Sequence, residues 1–230
     1  IENVSSVTRG ANKSAIRAES NGGDITITDV GIPTFTPAGA GALDRSYHGI
    51  YALSSGGDIT IDTDAIVFAV GYGVQAYNTL IGVPLSTGSI SISVRDVSAD
   101  STGVGAYNYN SASTAETKVT VLGDVSSSAV GVAVQTFAGA HVTVTETGSV
   151  SGTNRAISFE RYGSATPNDT LTLNGTVTGD VDMQVGNDLF EYGGTISPGS
   201  VVFGGAGRDT VSITSTMAKT LTNSGQTGNS

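Results

Sequence analysis

Cysteine and tryptophan are absent from the 230 residues, and charged side chains make up only 13% of them. Without cysteine there is no disulfide framework, no thiolate nucleophile and no thiolate metal site, so stability has to come from a packed core. A chain that crosses an oxidising compartment unfolded is well served by this absence, which fits export. Lys and Arg together number 10 against 20 Asp and Glu, and the arginines stand singly. The clustered cations that grip phosphate backbones are missing, which argues against a nucleic-acid partner. No apolar run approaches the roughly 18–20 residues that cross a bilayer as a helix, so membrane insertion by this segment is not expected. The chain opens at Ile1 within its pattern and shows no leader, and is read as a mature or excised segment.

What the chain has instead is glycine, 32 residues of it, with abundant Ser and Thr between β-branched apolar residues. That mixture suits a turn-rich all-β protein, not a disordered acidic tail. A strand-like triplet recurs at Ile16, Ile50, Val74, Val104, Val132 and Ile157, in steps of 34, 24, 30, 28 and 25 residues. A second triplet follows each one, starting at Ile25, Ile59, Ile90, Val119, Val142 and Leu171, with a hydroxyl residue at its centre. Apolar–hydroxyl–apolar is the period-2 signature of a strand with one face buried. A weaker third element comes next: Asp29-Val30, Asp64-Ala65, Asp96-Val97, Asp124-Val125, Ser149-Val150 and Thr176-Val177.

Three short strands in each turn of the chain define a solenoid whose rungs cannot bury their apolar faces alone and therefore stack. The expected fold is all-β: a right-handed three-sided parallel β-helix of about seven or eight rungs with loop insertions. It is read as one domain over 1–230, with 214–230 a frayed or disordered end. The first residues of the first triplets should form one inward column. The hydroxyls at 26, 60, 91, 120, 143 and 172 should form an outward ladder. Longer spacings place loops at 77–89, 107–118 and 160–170, and a 31–47 insertion. On a solenoid such insertions either carry interactions or are tolerated padding.

The runs Gly175-Thr-Val-Thr-Gly179-Asp-Val-Asp, Gly186-Asn-Asp-Leu-Phe and Gly204-Gly-Ala-Gly-Arg-Asp-Thr-Val, set in this rung pattern over 14–213, resemble the passenger domains of autotransporters (type V secretion). The resemblance implies a secreted or outer-membrane-displayed bacterial surface protein, serving as an adhesin, aggregation factor or toxin. Its partner would be a host cell-surface protein or glycan, or another copy of itself. The chain lacks the Gly-Asp-Ser-Gly type motif of the family's protease-bearing branch, and it contains no barrel segment.

Residues 204–211 fit the calcium nonapeptide G-G-x-G-x-D-x-U, with a half-match 21 residues earlier at Asp188. One match and a remnant do not supply the six or more oxygens a calcium ion takes. A structural turn is the expectation, with no metal and no cofactor. Asp29, Asp64, Asp96 and Asp124 would be a catalytic or metal-binding column if they converged, but their offsets from the preceding triplet vary, and Asp at a strand end is ordinary turn chemistry. His48 and His141 lack partners at ligand spacing. The candidate binding residues are Tyr51, Tyr77, Tyr107 and Tyr109, outward aromatics on successive rungs. They suit sugar stacking or a protein hot spot, or else a ladder that only stabilises the solenoid. The leading expectation is a non-catalytic adhesive or self-associating segment. The alternatives are a toxin or host-receptor ligand and a carbohydrate-active enzyme on the same fold.

Overall fold

The structure is a computed structural model that describes Ser14 and residues 16–28, 48–64, 67–69, 71–79, 88–109 and 115–214. Every regular element among these residues is a β-strand, and the strands form three parallel sheets. The first sheet comprises Ile16–Ser20, His48–Ser54, Tyr72–Asn78, Thr102–Asn108, Val130–Thr136, Arg155–Arg161, Val181–Asp182 and Val202–Phe203. The second comprises Ile25–Thr28, Ile59–Thr63, Ile90–Val94, Thr117–Val121, Ala140–Val144, Thr170–Leu173, Leu189–Tyr192 and Thr210–Ile213. The third comprises Val67–Ala69, Val97–Ala99, Asp124–Ser127, Ser149–Gly152, Thr176–Thr178 and Thr195–Ile196. The chain visits the three in turn, so the molecule is a three-sided parallel β-solenoid.

Seven or eight rungs is too high a count. The third sheet has six strands, so six coils are complete on three sides among the described residues. The regular body is shorter still. Its seven-residue strands, from His48–Ser54 to Arg155–Arg161, span four full turns. Beyond it the first-sheet strands shrink to two residues, although apolar alternation continues in the sequence.

The inward column is as expected. Ile16, Ile50, Val74, Val104, Val132 and Ile157 pair in register, and all are buried. Beside it runs Ala18, Ala52, Ala76, Ala106, Val134 and Phe159, so the core fills from small to large side chains along the stack. Ile27, Ile61, Ile92, Val119, Val142, Leu171 and Phe190 face them from the second sheet.

The outward hydroxyls are not one ladder but two. Ile90 pairs with Thr117, which sets Ser91 beside Lys118 and Thr120 beside Ser93. Thr26, Thr60 and Ser91 therefore share one column, and Thr120, Thr143 and Thr172 share the next. A slip of two residues preserves which face each side chain occupies, so matching triplets by pattern cannot detect it. The third strand expected at Asp64-Ala65 begins at Val67, which pairs with Val97. Asp29, the 31–47 insertion, 80–87, 110–114 and 215–230 lie outside the described residues.

Glycine makes the corner between the third and first sheets. A Cβ on Gly103 would stand 2.5 Å from the Gly131 carbonyl oxygen and 2.6 Å from Cγ1 of Val125. Gly73 and Gly131 are crowded in the same way by Val97 and Val150. At these three coils the missing Cβ gives the third-sheet valines room to reach the core, while in the next coil Ala156 takes the equivalent place.

Candidate functional site: an aromatic ribbon on the first sheet

The first-sheet strands run past the inward triplet, so Tyr77 and Tyr107 lie in strands and not in the loops expected at 77–89 and 107–118. Three outward columns result. One carries Leu53, Tyr77, Tyr107, Gln135 and Glu160; the next carries Tyr51, Gln75, Gly105, Ala133 and Ser158; the third carries His48, Tyr72, Thr102, Val130 and Arg155. At Gly105 the central column has no side chain, which lets the Tyr107 ring lean over the sheet.

The four candidate tyrosines come together in one ribbon. Tyr77 and Tyr107 stack with centroids 4.7 Å apart at 17°. Tyr51 meets Tyr77 diagonally at 6.0 Å, and Tyr109 lies 6.1 Å from Tyr77 and 6.5 Å from Tyr107. The ribbon is wider than the sequence indicated. Tyr72 stands edge-on to Tyr107 at 6.3 Å. His48 lies 5.4 Å from both Tyr51 and Tyr72. At one end the Arg17 guanidinium sits 5.0 Å over the Tyr51 ring; at the other, Tyr109 meets Tyr162 at 4.6 Å, and Tyr162 meets Phe137 at 4.8 Å. Each such pair contributes about 0.5–1.5 kcal/mol beyond area burial.

Burial divides the ribbon into a spine and a surface. Tyr107 is 8% exposed. Burial first, then the neighbouring Tyr72, Tyr77 and Glu160, pushes its phenol far above the usual tyrosine range. Gln75 is covered too, and its amide donates to the Tyr77 hydroxyl at 3.0 Å. Tyr51, Tyr77 and Tyr109 keep part of their rings in solvent, and Tyr162 is 42% exposed. His48 is held below its usual pKa by burial and by Arg17, so it is a neutral ring of the ribbon.

At the Tyr109 end the ribbon turns polar. The Tyr109 hydroxyl donates to Gln135 Oε1 at 3.0 Å, and Gln135 Nε2 donates to the Arg161 carbonyl at 3.0 Å. Arg155 pairs with Asp182 at 2.9 Å and reaches the buried Ser158 hydroxyl at 3.4 Å. Glu160 stands in the Tyr107 column. Burial raises its pKa; Arg155 works against that shift and Asp182 with it. Sequence reading missed Tyr72, Phe137, Arg155, Glu160 and Tyr162. The signal for Tyr72 is its place two residues ahead of the inward Val74, visible only once the glycine corner is known, and Arg155 holds the equivalent place ahead of Ile157 with Ala156 at the corner.

The other candidates do not assemble into a site. Arg95 pairs with Asp64 at 3.0 Å, Asp96 accepts the Asp124 N–H at 3.1 Å, and Asp124 accepts the Ser149 hydroxyl at 2.6 Å. These carboxylates tie coil to coil. His141 is exposed beside Lys118 and Thr170. Among the described residues no three His, Cys, Asp or Glu side chains converge as metal ligands, and no helix is long and apolar enough to cross a membrane. Comparison of the chain with protein-family models, curated proteins and solved structures finds no match.

Proposed function

We propose that the chain is a non-catalytic segment of a bacterial surface protein of the autotransporter type, secreted or displayed at the outer membrane, that works in adhesion or self-association. The observation that carries this reading is the ribbon of aromatic rings on the lateral face of the solenoid. Rung stacking consumes the core, so binding energy has to come from such a flank. Tyrosine offers a large rigid surface and a hydroxyl at low entropic cost. Tyr107 is the buried spine, while Tyr51, Tyr77, Tyr109 and Tyr162 offer the contact surface to a host protein, a glycan or a second copy.

The test is a Tyr51→Ala/Tyr109→Ala/Tyr162→Ala variant, which spares the spine. It should keep its β-structure by circular dichroism and lose at least tenfold in cell binding or aggregation, about 1.4 kcal/mol. Binding equal to the parent would reduce the ribbon to a stabilising ladder.

One observation favours a second reading, a carbohydrate-active enzyme. Glu160 is a carboxyl raised by burial near a second acid, Asp182, beside an aromatic platform, the pairing that glycoside cleavage uses. Turnover of an oligosaccharide panel, lost in Glu160→Gln, would support it; no turnover by the parent would end it.

A further inference from the structure

The first inward column of the second sheet changes character along the stack. Ile25, Ile59 and Ile90 pair in register and are followed by Thr117 and Ala140. His141, Thr170, Leu189 and Thr210 then pair in the neighbouring outward column. The residues just ahead of the last three, Asp169, Asp188 and Asp209, therefore occupy the place of the isoleucines. Asp169 and Asp188 are 3% and 2% exposed, while Asp209 on the last described coil is exposed.

Backbone donors satisfy one oxygen of each. The Ala140 N–H donates to Asp169 Oδ1 at 2.7 Å, the Asp169 N–H to Asp188 Oδ1 at 2.8 Å, and the Asp188 N–H to Asp209 Oδ1 at 3.2 Å. Asp188 Oδ2 is closed off from solvent and has no partner among the described residues. Two carboxylates one coil apart, roughly 5 Å, do not both stay charged in a dry core without a counter-ion.

No cation among the described residues supplies one. Lys118 and His141 belong to the outward column, and Lys118 pairs with Glu116 there. Arg208 is exposed, and its backbone N–H is spent on Asn187 Oδ1 at 2.9 Å. From the preceding coil, Gly139 and Ala140 bring no charge; from the following one comes only Asp209, itself acidic. A metal ion would need more ligands than a stack whose Oδ1 atoms are already taken by N–H groups.

We propose that Asp169 and Asp188 hold one proton between them, kept on the more deeply held Asp169. The pair is a proton-operated lock on the coils from Thr170 onward. Burial pushes Asp169 up to about 7, with the Ala140 N–H opposing and the charge of Asp188 adding. Asp188 is raised by burial as well, against the Asp169 N–H and with the charge of Asp209. The folded chain therefore keeps a proton that the unfolded chain has released. The stabilisation is full below about pH 4, the ordinary Asp range, and is lost as pH rises through about 7. The coils from Thr170 onward dock most tightly in acidic surroundings.

Thermal and denaturant unfolding of the full chain and of Asp169→Asn, between about pH 5 and pH 8, tests the lock. The Asn side chain can still accept from the Ala140 N–H and stays neutral at every pH. With the folded-state value of about 7, the parent's folded-to-unfolded ratio should fall relative to the variant's by on the order of a hundredfold across that range. Parallel profiles overturn the proposal. So does a calcium-induced rise in the parent's melting temperature that a chelator reverses, because the pair would then hold a cation. Should Asp169→Asn not fold, the infrared C=O band of a protonated carboxylic acid at about pH 6 in Glu160→Gln, which removes the other buried raised carboxyl, decides, and its absence overturns the proposal too.

Discussion

A Cβ on Gly105 would stand 2.6 Å from Cε2 of Tyr107, and that missing methyl is what lets the ring lie flat against the sheet and reach Tyr72. The consequence is chemical as well as steric. A phenol so covered cannot ionise without leaving its place, so the folded state holds Tyr107 protonated. The stability this implies is intact below about pH 10, the ordinary tyrosine range, and is lost as pH climbs above it. Spectrophotometric titration of the eight tyrosines is expected to leave one unionised until the chain unfolds. In Gly105→Ala, whose methyl displaces the ring, that residue should titrate with the rest. If all tyrosines of the parent titrate together in the folded state, Tyr107 is not packed as described. At the same scale the two faces of a strand are expected to respond differently to charge. Val104 is 0% exposed, so Val104→Asp strands a carboxylate in the core and should cost about 3–5 kcal/mol. Thr120→Asp, on an outward column, should shift the denaturation midpoint far less. Equal losses would mean the faces are misassigned.

Between residue and molecule stands the strand, and here the sequence was legible in one dimension and opaque in another. The pleat has a period of two, so every apolar–hydroxyl–apolar triplet announced which side chains point inward, and the six-residue column from Ile16 to Ile157 follows from that alone. Register is different. Ser91 and Thr120 look equivalent by pattern yet stand two positions apart, because the choice between them is made by cross-coil packing that no single strand encodes. Strand ends were opaque for a related reason. Tyr77 and Tyr107 follow their triplets like loop residues, and it is contacts across coils, the aromatic stack and the buried Asn78 and Asn108 amides on Gly57 and Gly88 carbonyls, that hold the pairing this far. The glycine corner was hidden in a chain with so much glycine. Its members are separable by what surrounds them: the Cβ of Gly103 would collide with a backbone oxygen, that of Gly105 with the end of a movable ring. Gly103→Ala should therefore lower the denaturation midpoint clearly more than Gly105→Ala; the reverse order would place the corner elsewhere.

In a solenoid each coil rests only on its neighbours, so stability is a sum of coil and interface contributions and need not be uniform along the axis. The body from His48 to Arg161 has seven-residue strands in the first sheet, a closed apolar core and the aromatic ribbon laid across its outer face. Past it, the first-sheet strands Val181–Asp182 and Val202–Phe203 are two residues long, and the column that carried isoleucine carries aspartate. Two independent weaknesses thus coincide past Arg161, and the second of them depends on protonation. Hydrogen exchange should read this directly. Amides of Tyr72–Asn78, Thr102–Asn108 and Val130–Thr136 are expected to be protected to the limit of global unfolding, with those of Val181–Asp182, Thr195–Ile196 and Val202–Phe203 opening first. Acidification should slow opening of the second group, after correction for the intrinsic exchange rate, and slow the first group with it, because global unfolding releases the same proton. The second group should still open first at every pH. If the two groups exchange as a single cooperative unit at every pH, the coils are coupled more strongly than nearest-neighbour stacking provides, and a loss past Arg161 is shared along the entire stack.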